Sequence, residues 1–125
     1  MAQRRTRAIG DADSSVPPDG LMVQSFATRQ ELRSWLEREH SRSLGVWVRV
    51  AKAGSGIPSV TFHDLLEEGL CFGWSESTRR AGDDTSYLQR FTPRRTRGTT
   101  SERNRRLVVE LRTRGLMTPA GEAAL

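Results

Sequence analysis

Apolar positions recur along this chain in two rhythms, and each predicts its own kind of element. Thr28 followed by Glu31 has the spacing of a capping box, and Leu32, Trp35 and Leu36 then fall on one helical face. A helix is predicted over about residues 29–39. Residues 44–50 read Leu-Gly-Val-Trp-Val-Arg-Val. Leu44, Val46, Val48 and Val50 take one face and Trp47 and Arg49 the other, which is the alternation of a β-branched strand. Gly54, Gly56 and Pro58 then demand a loop. Thr61 with Asp64 opens a second helix, in which Phe62, Leu65, Leu66, Gly69 and Leu70 occupy the i, i+3, i+4, i+7 and i+8 positions of one stripe.

Further along, Phe72 to Arg79 reads as extended, Gly82-Asp83-Asp84 as a turn, and residues 86–92 as a strand stopped by Pro93. Residues 94–100 form a polar connection. A last long helix over about residues 101–114 buries Leu107, Val108 and Leu111 and ends at Gly115. Thr118-Pro119 has the cap and first-turn chemistry of one more helix. Residues 1–20 carry Arg4, Arg5, Arg7, Asp11, Asp13, Asp19 and the pair Pro17-Pro18, with almost no large apolar side chains. They are expected to form a flexible tail of mixed charge, because they bury too little to offset their ordering entropy. The folded domain is expected over 21–125, and 125 residues suit one domain. The order helix, strand, helix, strand, strand, helix implies an α+β fold: a small single domain whose short mixed or antiparallel sheet packs against two or three helices.

Charge changes this picture in one place. The chain carries +5, and 19 of its 20 basic residues are Arg. Residues 90–114 hold nine Arg and two Glu, a net +7 that leaves −2 for the other 100 residues. A basic helix behind a basic loop can grip phosphates, which makes nucleic acid an alternative partner. Against it, Glu102 and Arg106, and Glu110 and Arg114, stand at i,i+4 pairing distance, and Phe91 is the one aromatic in the run. A small anionic or polar molecule near Arg90, Arg94 and Arg95 is the preferred partner. No apolar run approaches membrane-spanning length and none follows the basic N-terminus, so a cytoplasmic protein with no membrane partner is expected. One cysteine and two histidines give neither a disulfide nor a Cys-based zinc cage, and no metal or cofactor is expected.

The candidate chemistry is sparse. Cys71, the single thiol, falls at the C-terminal end of the second helix, where the macrodipole disfavours a thiolate, and Leu70 and Phe72 flank it. It reads as a buried structural residue. His63 reads as a surface histidine, and Gly54-Ser55-Gly56 lacks the Gly-Lys-Ser/Thr ending of a phosphate loop. Phe72-Gly73-Trp74-Ser75-Glu76 is the most unusual stretch. If extended, Trp74, Glu76 and Thr78 share one face. Glu76, with Arg79 or Arg90 as partner, would hold a polar ligand over the indole or serve as a general base. The alternative is a Trp filling the core edge and a Glu in an ordinary ion pair.

Together these motifs resemble one known family. Leu-Leu-Glu-Glu-Gly-Leu-Cys-Phe-Gly-Trp (65–74), Tyr-Leu-Gln-Arg-Phe-Thr-Pro-Arg-Arg (87–95), Asn104 and Gly-Leu-Met-Thr-Pro-Ala-Gly (115–121) look like the YdeI/OmpD-associated family, and Val46-Trp47-Val48 and residues 52–56 resemble its N-terminal half. The resemblance runs from Phe26 to the C-terminus. It implies a soluble bacterial α+β protein linked in name to bacteriocin protection and stress tolerance, with no reaction or catalytic residue attached. Three departures stand out: Ser75-Glu76 replaces the usual Ile-Asp after the tryptophan, Thr100-Ser101 replaces a Trp-Ser pair, and the basic C-terminal helical segment of many members is not present before Leu125. The expected site is a cleft between the Trp74–Glu76 strand and the Arg90, Thr92, Arg94 strand end, with Trp47, Arg79 and Arg95 beside it. Arginine would clamp an anion, tryptophan would supply a flat wall, and Glu76 would accept a hydrogen bond. The alternatives are an enzyme using Glu76 or Cys71, less favoured, and nucleic-acid binding through 90–114. The cleft requires Glu76 and Arg90 to share one side of the sheet.

Overall fold

A computed structural model describes residue 17 and residues 19–125. Eight elements follow one another: β1 (Val23–Ser25), α1 (Arg29–Glu39), β2 (Val46–Ala51), α2 (Phe62–Phe72), β3 (Trp74–Ala81), β4 (Ser86–Pro93), α3 (Glu102–Thr113) and α4 (Pro119–Ala123). They make one small α+β domain. The strands form one mixed sheet in the order β1-β2-β4-β3, with β1 parallel to β2 and the other pairs antiparallel.

Local chemistry sets the helix starts. Thr28 accepts from the Glu31 N–H at 3.2 Å, and Thr61 and Asp64 close a full capping box at 3.0 and 3.1 Å. Ser101 and Thr118 cap α3 and α4 in the same way. The predicted extended run at Phe72 begins two residues later than expected, because α2 continues to Phe72. Gly73 then ends it at φ +77°, a left-handed conformation that glycine reaches without strain. Leu44 also departs from expectation. The chain passes Gly45 at φ +135°, so β2 starts at Val46 and Leu44 is left 84 % exposed. Phe62, placed on the apolar stripe by periodicity, is at the rim and partly exposed.

Helices cover one face of the sheet. Val46, Val48, Val50, Trp74 and Phe91 of the strands join Leu32, Trp35, Leu36, Leu65, Leu70, Val108 and Leu111 of the helices in a continuous core. Each fully buried side chain of this size contributes about 1.5–3 kcal/mol. Strand β1 escaped the sequence reading. Three residues with one large apolar side chain carry no measurable alternation, and their partner lies more than twenty positions away. The expected tail falls mostly outside the described residues, yet its last acidic residue, Asp19, is joined to the sheet and belongs to the domain.

Candidate functional site

Side chains alternate across a strand, and residues paired across two strands share a face. The register therefore sorts the candidate residues. Trp47 stands opposite Arg90 on one side and Val23 on the other, and Thr92 stands opposite Ser75. These point away from the helices, onto the open face. Glu76 stands opposite Phe91, as Val46 does, so it points toward the helices. Glu76 and Arg90 thus lie on opposite faces, and the single cleft expected from sequence does not form. The reason is parity: Glu76 pairs with Phe91, one residue beyond Arg90, and a shift of one residue exchanges faces.

The helix-side candidates have structural partners. Trp74 meets Trp35 edge-on at 5.5 Å and Phe91 at 5.2 Å between ring centroids, and its indole N–H donates to the His40 carbonyl at 3.2 Å. Burial pushes the Glu76 carboxyl up, opposed by its own backbone N–H and by the Arg94 charge. Arg94 donates to the Thr99 hydroxyl at 3.0 Å. A bulge between Glu76 and Arg79 re-aims the second half of β3. Arg79 consequently lies over the Tyr87 ring at 4.0 Å, remote from Arg90's face. Cys71 is fully buried, and desolvation first, then the Glu68 charge, pushes its thiol up. A thiol so placed is a poor nucleophile.

Four of the candidates do come together on the open face. Arg90, Thr92 and Arg95, with Leu44 and Pro93, line a shallow cavity of about 210 Å³, and Trp47 is Arg90's cross-strand neighbour. The residue that completes this group is Asp19. Its carboxylate accepts from the Trp47 indole N–H at 3.0 and 3.1 Å, from Arg90 Nε at 3.1 Å, and from the Leu21 N–H at 3.0 Å. Desolvation raises the Asp19 carboxyl, but the three donors outweigh it and hold it below its usual range. Sequence reading missed Asp19 because it sits in a stretch without hydrophobic rhythm. The one available signal is the Asp-Gly turn pair directly ahead of Leu21-Met22-Val23.

A second charged cluster ties the helices together. Glu68 accepts from Arg29 Nε at 2.6 Å and from Arg33 Nη1 at 2.9 Å, and Glu67 accepts from Arg29 and His63. Arg33 also donates to the Leu116 carbonyl at 2.8 Å. Of the pairs expected on α3, Glu102–Arg106 forms at 3.0 Å. Glu110–Arg114 does not, because Arg114 turns to Glu67 at 3.7 Å. Among the described residues no group of three or more His, Cys, Asp and Glu gathers as a metal site, and no helix is long and apolar enough to cross a membrane.

Fold and site define a small α+β domain whose sheet is covered by helices on one face and carries an arginine–tryptophan–carboxylate cluster on the other. The chain belongs to the family described as Domain of unknown function (DUF8412), which matches residues 24–124. No curated protein and no solved structure matches it.

Proposed function

We propose that this protein binds a small carboxylate-bearing molecule on the open face of its sheet, with Arg90 and Arg95 as cations, Thr92 as a hydroxyl partner and Trp47 as an indole donor. One observation carries the reading: Asp19, a carboxylate of the chain itself, already rests between Trp47 and Arg90. Hydrogen bonds to a charged group contribute about 1.5–3 kcal/mol when dry. Here Arg90 and Asp19 keep 33 % and 30 % of their side chains in water, which brings the pair toward the 0–1 kcal/mol of surface contacts. A contact of that strength can give way to a better ligand. The resemblance to YdeI/OmpD-associated proteins supports placing this binding in the cytoplasm, in a stress-protection role.

The test follows the Trp47 indole N–H resonance in ¹⁵N-labelled protein, assigned by loss in Trp47→Phe. Acetate and malonate are expected to move it in Asp19→Ala at concentrations about two- to sixfold lower than in the unaltered chain, since an internal competitor held by about 0–1 kcal/mol is gone. If neither carboxylate moves that resonance in either protein, the site is a structural contact and the reading falls.

A further inference from the structure

We propose a second ligand site at the other end of the open face, built for an α-amino acid with an apolar side chain. It shares no residue with the Trp47–Arg90 cluster and does not depend on it. The cavity measures about 350 Å³, within the roughly 300–1,000 Å³ of small-molecule sites. Phe26, Ile57 and Pro58 give it an apolar wall, and Arg49, Glu31 and Asp83 give it charges of both signs.

Each charged group is fixed by the fold yet keeps bonding capacity. Arg49 projects from the open face of β2, and its Nη1 donates to the Ser86 hydroxyl at 3.0 Å with Asp83 Oδ2 at 3.6 Å. That leaves further guanidinium N–H groups for a ligand carboxylate. Asp83 Oδ1 accepts from the Ser86 hydroxyl at 2.8 Å, the Thr85 N–H at 2.9 Å and the Thr85 hydroxyl at 3.1 Å. These bonds, the Ser86 one foremost, hold its pKa down at about 2, so the turn stays anionic. Glu31 uses Oε1 to accept from the Ala27 N–H at 3.0 Å, while Oε2 has no partner among the described residues.

The walls are held as well. The Lys52 N–H donates to the Thr85 carbonyl at 2.8 Å and the Val60 N–H to the Phe26 carbonyl at 3.0 Å. Ser59 accepts from the Ala51 N–H at 3.0 Å. Loop, turn and strand therefore keep their spacing without a ligand, and little ordering cost remains for binding.

The chemistry of the lining selects the ligand. Two carboxylates against one guanidinium leave the cavity at −1 on a chain of +5. A simple anion meets net repulsion there. An ammonium finds the free oxygen of Glu31 and the fixed charge of Asp83. Because a guanidinium stands in the same cavity, a ligand carrying both an ammonium and a carboxylate satisfies all three. Its apolar arm then covers Ile57, which is 50 % exposed in the free protein.

Calorimetric titration with L-leucine, isoamylamine and 4-methylpentanoate tests this, because the last two are leucine lacking its carboxylate and its ammonium. Leucine is expected to bind about tenfold or more tighter than either, as each charge-assisted bond contributes about that factor. In Glu31→Gln its advantage over 4-methylpentanoate should shrink, and in Arg49→Gln its advantage over isoamylamine should shrink. Equal affinity for leucine and one fragment, no detectable leucine binding, or leucine binding unchanged in both variants overturns the proposal. The three-ligand comparison in the unaltered chain stands even if Arg49→Gln does not fold.

Discussion

The two faces of the sheet each hold a buried tryptophan, and the two are buried for different purposes. Trp74 lies among Trp35, Phe91 and the His40 carbonyl, so its surroundings are apolar rings and one neutral acceptor. Trp47 is buried to a similar degree but stands outside the continuous core, and its indole N–H meets a carboxylate from the N-terminal segment. A side chain that packs against many neighbours resists replacement. One whose indole N–H meets a carboxylate that is itself about a third exposed can lose that partner to water. The helix face is thus organised for stability, and the proposed function assigns exchange to the open face.

The largest expected effect lies on the helix face. Trp74→Ala should lower unfolding free energy by about 3–5 kcal/mol, the usual cost of deleting a buried large aromatic. Glu68→Ala should cost less, about 1–3 kcal/mol, because Arg29 keeps Glu67 and Arg33 keeps the Leu116 carbonyl. Urea unfolding at neutral pH measures both. A loss below about 1 kcal/mol at Trp74 would break the contrast between the faces.

Acid sharpens the same contrast. Burial raises the Glu67 carboxyl, but Arg29 and then His63 outweigh it and leave it lowered. A carboxylate lowered in the folded state stabilises the protein above the ordinary Glu range, and that contribution disappears as pH falls through the lowered pKa. The urea midpoint should therefore drop between about pH 5 and pH 3. Glu67→Gln should show a lower midpoint at pH 7 and a flatter acid profile. Parallel profiles for both proteins would remove Glu67 from the account.

Much of the helix face could be read from sequence because its determinants are local. Thr28 with Glu31 and Thr61 with Asp64 announce helix starts within four residues, and the leucine stripes name the buried sides. The open face could not be read so. Whether Glu76 or Ser75 shares Arg90's face depends on the register between β3 and β4, which is set across a turn and then altered by a bulge. No pattern within either strand records that offset. Asp19 posed the same difficulty in stronger form: its partners lie 28 and 71 positions away. The burial of Cys71 was legible because helix position and the flanking Leu70 and Phe72 both point to it.

An intermediate effect belongs to the seam between α2 and α4. Thr118 caps α4 and also donates its hydroxyl to the Cys71 carbonyl. Thr118→Ala should cost about 0.5–2 kcal/mol, as lost N-caps do. Cys71 should then react faster with a thiol reagent, because the turn that covers it opens more often. Reactivity unchanged at reduced stability would mean that α4 does not shield the thiol.

The smallest stability effect is expected where the functional contrast is greatest. Asp19→Ala removes the N-terminal segment's carboxylate from Trp47 and Arg90, and the Arg90–Asp19 pair keeps about a third of each side chain in water. It should lower unfolding free energy by less than about 1 kcal/mol. Trp47 fluorescence, resolved by subtracting the spectrum of Trp47→Phe, should nevertheless change, because the indole N–H loses its charged acceptor. A small loss of stability with a clear change at Trp47 is what a displaceable covering gives. A loss of several kcal/mol would instead make Asp19 part of the core, and the two faces would then differ in composition but not in purpose.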